Sequence, residues 1–356
     1  TSQAPLLLQL DHGAVAFRNV RVRRIGEPQP KVVAKSATMK PDSASARPTT
    51  QSSTLPHPSV ILPKTMRLVR LDVLNHPEVD DCDPWISFDG RTLYWSRYYY
   101  SQQEKPVKDR EQFGLFSAFR ESATAEFGEP RRLSPGRFRH PSISADGLTL
   151  VGVARSPDAK SQPWERVHVA KRASRDKPFE PARVLEQVEQ LCPHPFYKFP
   201  HFNEGNTRLT FALNTARAIH SLAWPDPAKP FHQLKHERLV GLDAAIKGNY
   251  PWPMLAGKGR LLICCHEDRI QADLPGGGLM LWNRSDVNKT FTEGVYLTLP
   301  NGASIQCRAP RYCEATKELF FTSRNLAGTG KFNDTGWDLW VIQGFDPTRI
   351  GYPAGK

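Results

Sequence analysis

Cysteine is scarce in this chain: six residues among 356, and no two of them in a Cys-x-x-Cys spacing. That excludes a disulfide scaffold and the usual zinc or thiol-redox motifs. Cys264 and Cys265 are adjacent in the apolar run opened by Leu261-Leu262-Ile263, where successive side chains face opposite sides of a strand. They are therefore expected as buried thiols. A link from Cys307 to Cys313 is conceivable, with nothing in the sequence to support it. Long apolar runs are missing too. No stretch approaches the roughly 18 residues of a membrane span. The opening Thr1-Ser2-Gln3-Ala4-Pro5-Leu6-Leu7-Leu8 has neither a basic leader nor a long apolar core, so it is not read as a signal peptide. It begins on Thr1, which is read as the mark of a fragment or processed product. No Gly-x-Ser-x-Gly elbow occurs, which excludes hydrolases built on that turn. Gly328-Thr329-Gly330-Lys331-Phe332 lacks the first glycine and the final hydroxyl of a phosphate loop, and reads as a hairpin. The net charge of +12 comes without a long basic run, so specific nucleic-acid binding is not expected.

What the chain does have is a recurring phrase: a proline, an apolar residue two positions on, and a leucine nine or ten positions on that opens a hydrophobic run. The fullest copy is Pro84-Trp85-Ile86-Ser87-Phe88-Asp89-Gly90-Arg91-Thr92-Leu93-Tyr94-Trp95, and later copies are read from Pro141, Pro200, Pro251 and Pro310. The steps are 57, 59, 51 and 59 residues, room for one four-stranded unit each. Asp89-Gly90 and Asp146-Gly147 supply tight turns. In the third copy Asn203-Glu204-Gly205-Asn206 does the same, in the fourth Ala256-Gly257-Lys258-Gly259 is one residue longer, and in the fifth Glu314-Ala315-Thr316-Lys317 has lost its glycine. A helix is suggested only around Arg183 to Leu191. Repetition of four short antiparallel strands predicts an all-β chain, a five-bladed β-propeller over 65–350. Met66 to Val73 precedes the first copy and is expected to close the ring as the outer strand of the last blade, removing an exposed edge. Residues 27–64, rich in Pro, Ser, Thr and Lys, are expected to be an extended or disordered linker. Val20-Arg21-Val22-Arg23, within 1–26, alternates like a half-buried strand.

Asp83-Pro84-Trp85-Ile86-Ser87-Phe88-Asp89-Gly90 and His140-Pro141-Ser142-Ile143-Ser144-Ala145-Asp146-Gly147 resemble the WD40-like propeller repeats of the TolB type, a likeness covering about residues 66–345. That resemblance implies a propeller in which the proline opens the inner strand and Ser-x-Asp-Gly turns it. On activity it is nearly silent, because such propellers mostly bind proteins or serve as accessory domains. Residues 5–25 resemble the closing strands of the 3-keto-disaccharide hydrolase family, a lectin-like jelly roll, which implies a remnant of an upstream domain in 1–26.

Superposing the copies selects candidate binding residues where each chain segment enters its inner strand. Two positions before the prolines stand Cys82, Arg139, Lys198, Asn249 and Arg308, and one before stand Asp83, His140, Phe199, Tyr250 and Ala309. The set carried forward as a channel rim is Asp81, Asp83, Arg139, His140, Lys198, Asn249, Tyr250 and Arg308, with Arg139, Lys198 and Arg308 attracting an anionic ligand or an acidic partner. The loops between second and third strands, including Tyr98-Tyr99-Tyr100, Trp164, 266–278 and 325–336, are expected on the same face. Cys192, His194 and His201 fall within ten residues, and Asp80, Asp81 and Asp83 cluster, yet neither group has the spacing of a known zinc or calcium motif. No catalytic residue, metal or cofactor is assigned. The expectation is a monomeric, non-enzymatic binding or scaffold module of a larger multidomain bacterial protein, facing a protein or polymer partner of acidic or carbohydrate character. The alternatives are a glycan-binding or glycan-processing protein using the axial pocket, and the sensory module of a signalling enzyme. The sequence leaves the compartment open, with a bacterial extracytoplasmic setting, periplasmic or secreted, carried forward as the expectation.

Overall fold

The period-two segments and their turn signals fold as strands, and the described residues are all-β with almost no helix. In the computed structural model, residues 58–77, 79–98, 113–135, 138–155, 165–186, 188, 199–202, 208–213, 218–223, 235–238, 252–266, 277–289, 291, 294–302, 305–323 and 336–350 are described. All of them fall in the unit Leu55–Lys356. The remnant-domain strands expected in 1–26 and the linker up to residue 57 lie outside the described residues.

Two short strands come first, β1 (Ser59–Ile61) and β2 (Arg67–Arg70). An antiparallel sheet follows from β3 (Asp80–Ile86), β4 (Thr92–Tyr98), β5 (Gly114–Phe119) and β6 (Arg131–Pro135). The next holds β7 (Phe138–Ile143), β8 (Thr149–Arg155), β9 (Glu165–Lys171) and β10 (Arg183–Val184). A third holds β11 (His201–Phe202), β12 (Arg208–Leu213), β13 (Ala218–Ala223) and β14 (Lys235–Arg238). Then come β15 (Met254–Ala256), β16 (Leu261–His266), β17 (Gly277–Asn283) and β18 (Val295–Thr298), and finally β19 (Gln306–Cys313), β20 (Glu318–Ser323) and β21 (Asp338–Gln343). These last two groups touch where Gly277 and Gly278 of β17 meet Cys307 and Gln306 of β19. The helix suggested after Arg183 is represented among the described residues by Glu186 and Val188.

The two early strands dock on the late ones. β2 lies antiparallel to β21, Leu68 opposite Ile342 and Val69 opposite Val341. β1 runs parallel to β18, and Leu62 N donates to Thr298 O at 2.7 Å. Within the expected linker 27–64, Val60 and Leu62 are apolar enough to cover the open edge of β18 and to pack on its core.

Local chemistry explains the turns. Ser87 Oγ donates to Asp89 Oδ1 and accepts from Thr92 N at 2.8 Å, while Gly90 takes φ +71°; Ser144, Asp146, Thr149 and Gly147 repeat the arrangement. Where the fifth copy lost its glycine, Lys317 adopts φ +53°. A second repeat, not noticed in the sequence, joins each turn to the strand beyond it. Arg120, Arg172 and Arg284 each donate from Nε to a turn-glycine carbonyl at 2.7 Å, those of Gly90, Gly147 and Gly259. Each guanidinium also covers the ring of the phenylalanine seven residues on, Phe127, Phe179 or Phe291, at 4.5–4.6 Å.

The first sheet is apolar on both faces because both are covered. Trp85 and Leu115 of the first pack with Val151 and Val167 of the second and with Phe202 and Leu209 of the third. Phe199, just before β11, joins a core with Trp252, Ile263, Leu319 and Phe321. The other face of the first sheet, with Leu93, Trp95 and Phe116, packs on Phe320, Leu339 and Val341. Arg120 is ion-paired to Glu318 across that last contact. Cys264 and Cys265 are buried as expected. Cys307 stands with its sulfur 2.9 Å from that of Cys265 and Cys313 lies against the Ser87 carbonyl, so the conceivable Cys307–Cys313 link is not made.

Candidate functional site

The proline phrase produces a distinctive backbone. The residue before the proline has positive φ in every copy: Asp83 at +56°, His140 at +51°, Phe199 at +31°, Trp252 at +55° and Ala309 at +47°. Three of the five inner strands bulge at the same place, between Cys82 and Trp85, Arg139 and Ser142, and Arg308 and Arg311. A left-handed conformation costs a non-glycine residue about 1–2 kcal/mol, and a bulge re-aims the side chains around it. In the fourth copy the register falls at Pro253, two residues beyond the proline chosen from sequence, because Trp252 carries the left-handed backbone.

These five residues are buried, and four of them touch. His140 Nδ1 lies 3.0 Å from Asp83 Oδ1, and His140 N donates to Asp83 Oδ2 at 3.3 Å. Tyr98 OH donates to Asp83 Oδ2 at 3.1 Å, and Asp83 N donates to Thr322 Oγ1. The Phe199 ring stands 4.8 Å from that of His140 and 4.9 Å from that of Trp252. Burial alone would raise the Asp83 carboxyl, but His140, with Arg139 behind it, holds it well below the usual carboxylate range.

The other predicted rim residues have separate placements. Asp81 is fully buried: its Oδ1 accepts from Trp95 Nε1 at 2.7 Å and Arg97 Nε at 2.6 Å, and its Oδ2 from His76 N. Burial pushes the Asp81 carboxyl up to about 6 against the pull of Arg97. Arg139 and Arg308 are half-buried. The Arg139 guanidinium sits 5.0 Å from the Tyr98 ring and that of Arg308 4.0 Å from the Trp337 ring. Lys198, Asn249 and Tyr250 lie outside the described residues, as do Cys192 and His194. No group of three or more metal-ligating side chains forms among the described residues.

A site that sequence reasoning passed over lies two residues further along, toward the turn end of the inner strands. A cavity of about 270 Å³ is lined from all five repeats, by Trp85, Ala145, His201, Met254 and Arg311 among others. Four of these directly follow the phrase's proline; in the second copy that place is Ser142, whose Oγ instead accepts from Phe202 N at 2.7 Å. Trp85, His201 and Arg311 are 1–2% exposed. Trp85 Nε1 and Arg311 Nε are buried without a hydrogen-bond partner, and the buried His201 ring makes no well-aligned hydrogen bond, with the Leu255 carbonyl beside it. The Trp85 and His201 rings meet edge-on at 4.9 Å, and the Arg311 guanidinium stands 5.4 Å from the Trp85 ring. Burial, and then the charge on Arg311, push His201 well below its ordinary value against the Leu255 carbonyl, leaving a neutral imidazole. Burial lowers Arg311 to about 10, with Asp83 opposing, so it keeps its charge at neutral pH. The signal was in the superposed copies: Trp, Ser, His, Met and Arg, once the fourth is read at Pro253, share neither size nor polarity, as a fold-determining position would.

No family model and no curated protein matches this chain. Among solved structures it is similar to the β-propeller domain of Swd1 from Myceliophteria thermophila, with 9% identity over 78% of this chain and 98% of that one and a TM-score of 0.42. It is similar to an α-L-arabinofuranosidase from Podospora anserina solved with cellotriose, with 9% identity, 76% and 92% covered, TM-score 0.44. The same holds for an oligogalacturonate lyase from Vibrio parahaemolyticus, with 10% identity, 76% and 79% covered, TM-score 0.34. Likenesses this distant carry no argument about what this chain binds or does.

Proposed function

We propose that the chain is a five-bladed β-propeller, closed by β2 as the outer strand of the last blade, and that it serves as a non-enzymatic binding module of a larger protein with its ligand in the cavity at the turn end of the inner strands. The observation that carries this reading is the meeting of all five repeats on one cavity that holds buried, unsatisfied hydrogen-bonding groups. Unspent donors in an apolar site are costly to the fold and are explained by a ligand that completes them. The contact of the first sheet with the last, through the Arg120–Glu318 ion pair and the hydrogen bonds that Trp337 N donates to Asp80 Oδ1 and Asp83 N donates to Thr322 Oγ1, supports closure. Glycan hydrolysis is disfavoured, because it asks for paired carboxylates and Glu314 is the one carboxylate lining this cavity among the described residues. Ligand-observed NMR with a fragment library tests the cavity, comparing the protein with an Ala145→Trp variant that fills it from a turn. Fragments that bind the protein and not the variant support the reading, and an unchanged set of binders overturns it.

A further inference from the structure

Resting on that reading of the cavity, we propose that its ligand is a small organic carboxylate with an apolar body, the carboxylate held by Arg311, His201 and Trp85 and the body by Phe88, Phe202 and Tyr312. Arg311 carries the argument. It is 2% exposed, its Nη1 donates to Pro310 O at 2.7 Å, and its Nε donates to nothing in the protein. A guanidinium removed from water is costly unless its charge and its donors are met. Asp83 acts on it only through its charge, with no hydrogen bond between them among the described contacts. The complement still missing is an anion within reach of the planar fork, which a carboxylate matches in shape as well as charge. Trp85 Nε1 adds a donor, and a neutral His201 a polar ring beside it, without adding charge.

The same features argue against other anions. One guanidinium balances one negative charge, whereas a phosphate dianion or a polyphosphate would bury charge in excess. The exposed Glu314 at the mouth would repel it further. Most of the wall is apolar or aromatic: Ile86, Phe88, Phe202, Met254, Leu255 and Tyr312. A volume near 270 Å³ lies at the small end of ligand pockets, which suits one ring or a short chain and not an oligosaccharide.

The test is isothermal titration calorimetry of the full chain with three probes: phenylacetate, 2-phenylethanol and inorganic phosphate. Phenylacetate is expected to bind at least tenfold more tightly than 2-phenylethanol, and phosphate not to bind. Arg311→Met is expected to erase the preference, so that the two aromatic probes bind alike. Should that variant fail to fold, Arg311→Lys keeps the charge and loses the fork, and is expected to weaken phenylacetate several-fold while leaving 2-phenylethanol unchanged. Equal affinity for the two aromatic probes in the unaltered protein, with both lost in Ala145→Trp, would overturn the carboxylate assignment and leave the cavity reading standing. A preference that survives in Arg311→Met and Arg311→Lys would overturn it as well. Binding of none of the probes would overturn both.

Discussion

Closure by β2 can be tested at one side chain. Asn75 follows β2 and acts as one more residue of it: its Oδ1 accepts from Leu339 N at 2.7 Å and its Nδ2 donates to Leu339 O at 3.2 Å. That carbonyl also accepts from Leu71 N at 3.0 Å. In Asn75→Ala the carbonyl therefore keeps a partner, and the loss falls on the Leu339 amide, in a residue with no exposed surface. Orphaning a buried donor costs about 1–3 kcal/mol. For a unit of this size each kcal/mol lowers Tm by about 2–4 °C, so a loss of about 2 kcal/mol is expected as a fall of about 4–8 °C. Asp72→Ala, in an exposed side chain ion-paired to Arg70, should change Tm little and serves as the control. Native-state hydrogen exchange separates closure from local fraying. If β2 holds the first sheet to the last, the amides of Leu93 and Val151 should lose protection together with that of Val341. Loss confined to β21, or a Tm equal to that of the control, would refute the closure.

Two smaller predictions follow from backbone and charge. Lys317 holds φ +53° at a turn where the better-preserved copies use glycine, so Lys317→Gly should raise stability by about 1 kcal/mol in urea unfolding; a destabilised variant would show that the left-handed backbone is not strained there. Asp81, raised from 3.8 to about 6 by burial, binds its proton more tightly folded than unfolded. Its contribution is therefore most favourable below pH 4 and falls as pH rises to 6, by about 3 kcal/mol at about 1.4 kcal/mol per pH unit. Subtracting the unfolding free energies of Asp81→Asn from those of the unaltered protein between pH 4 and 7 should expose that downward slope, and parallel curves would rule it out.

Much of the strand order was legible because one phrase carried both the turn chemistry and the apolar period. The Ser-x-Asp-Gly turns of the first two copies could be placed from residue types alone, since serine and aspartate oxygens satisfy the backbone there. The fourth copy was misplaced by two residues because Pro251 and Pro253 both fit the phrase, and only the backbone at Trp252 separates them. The Arg-to-Phe spacing after the third strands was present three times in the sequence but has no meaning until the turn glycine and the arginine are known to be neighbours. Nor could the pairing of residues 58–64 be read, since their partner β18 lies more than 200 residues away.

The candidate site shows the same division between what a repeat shares and what it varies. The sequence reading placed the rim just before the proline, where the chain enters each inner strand. At that position the left-handed backbone brings Asp83 and His140 to 3.0 Å, with Phe199 and Trp252 beside them in a buried layer. Charge there is already answered within the protein: Asp83 has His140 and Tyr98, and Asp81 has Arg97 and Trp95. Arg311 differs in kind, since the only hydrogen bond described for its side chain is to a carbonyl one residue away. A buried charge that the fold has paired reports on stability, whereas a buried charge facing a cavity with a donor still unspent reports on something that enters it. By that criterion the proposed ligand site rests on the residue after the proline, where Trp85, His201 and Arg311 line one cavity.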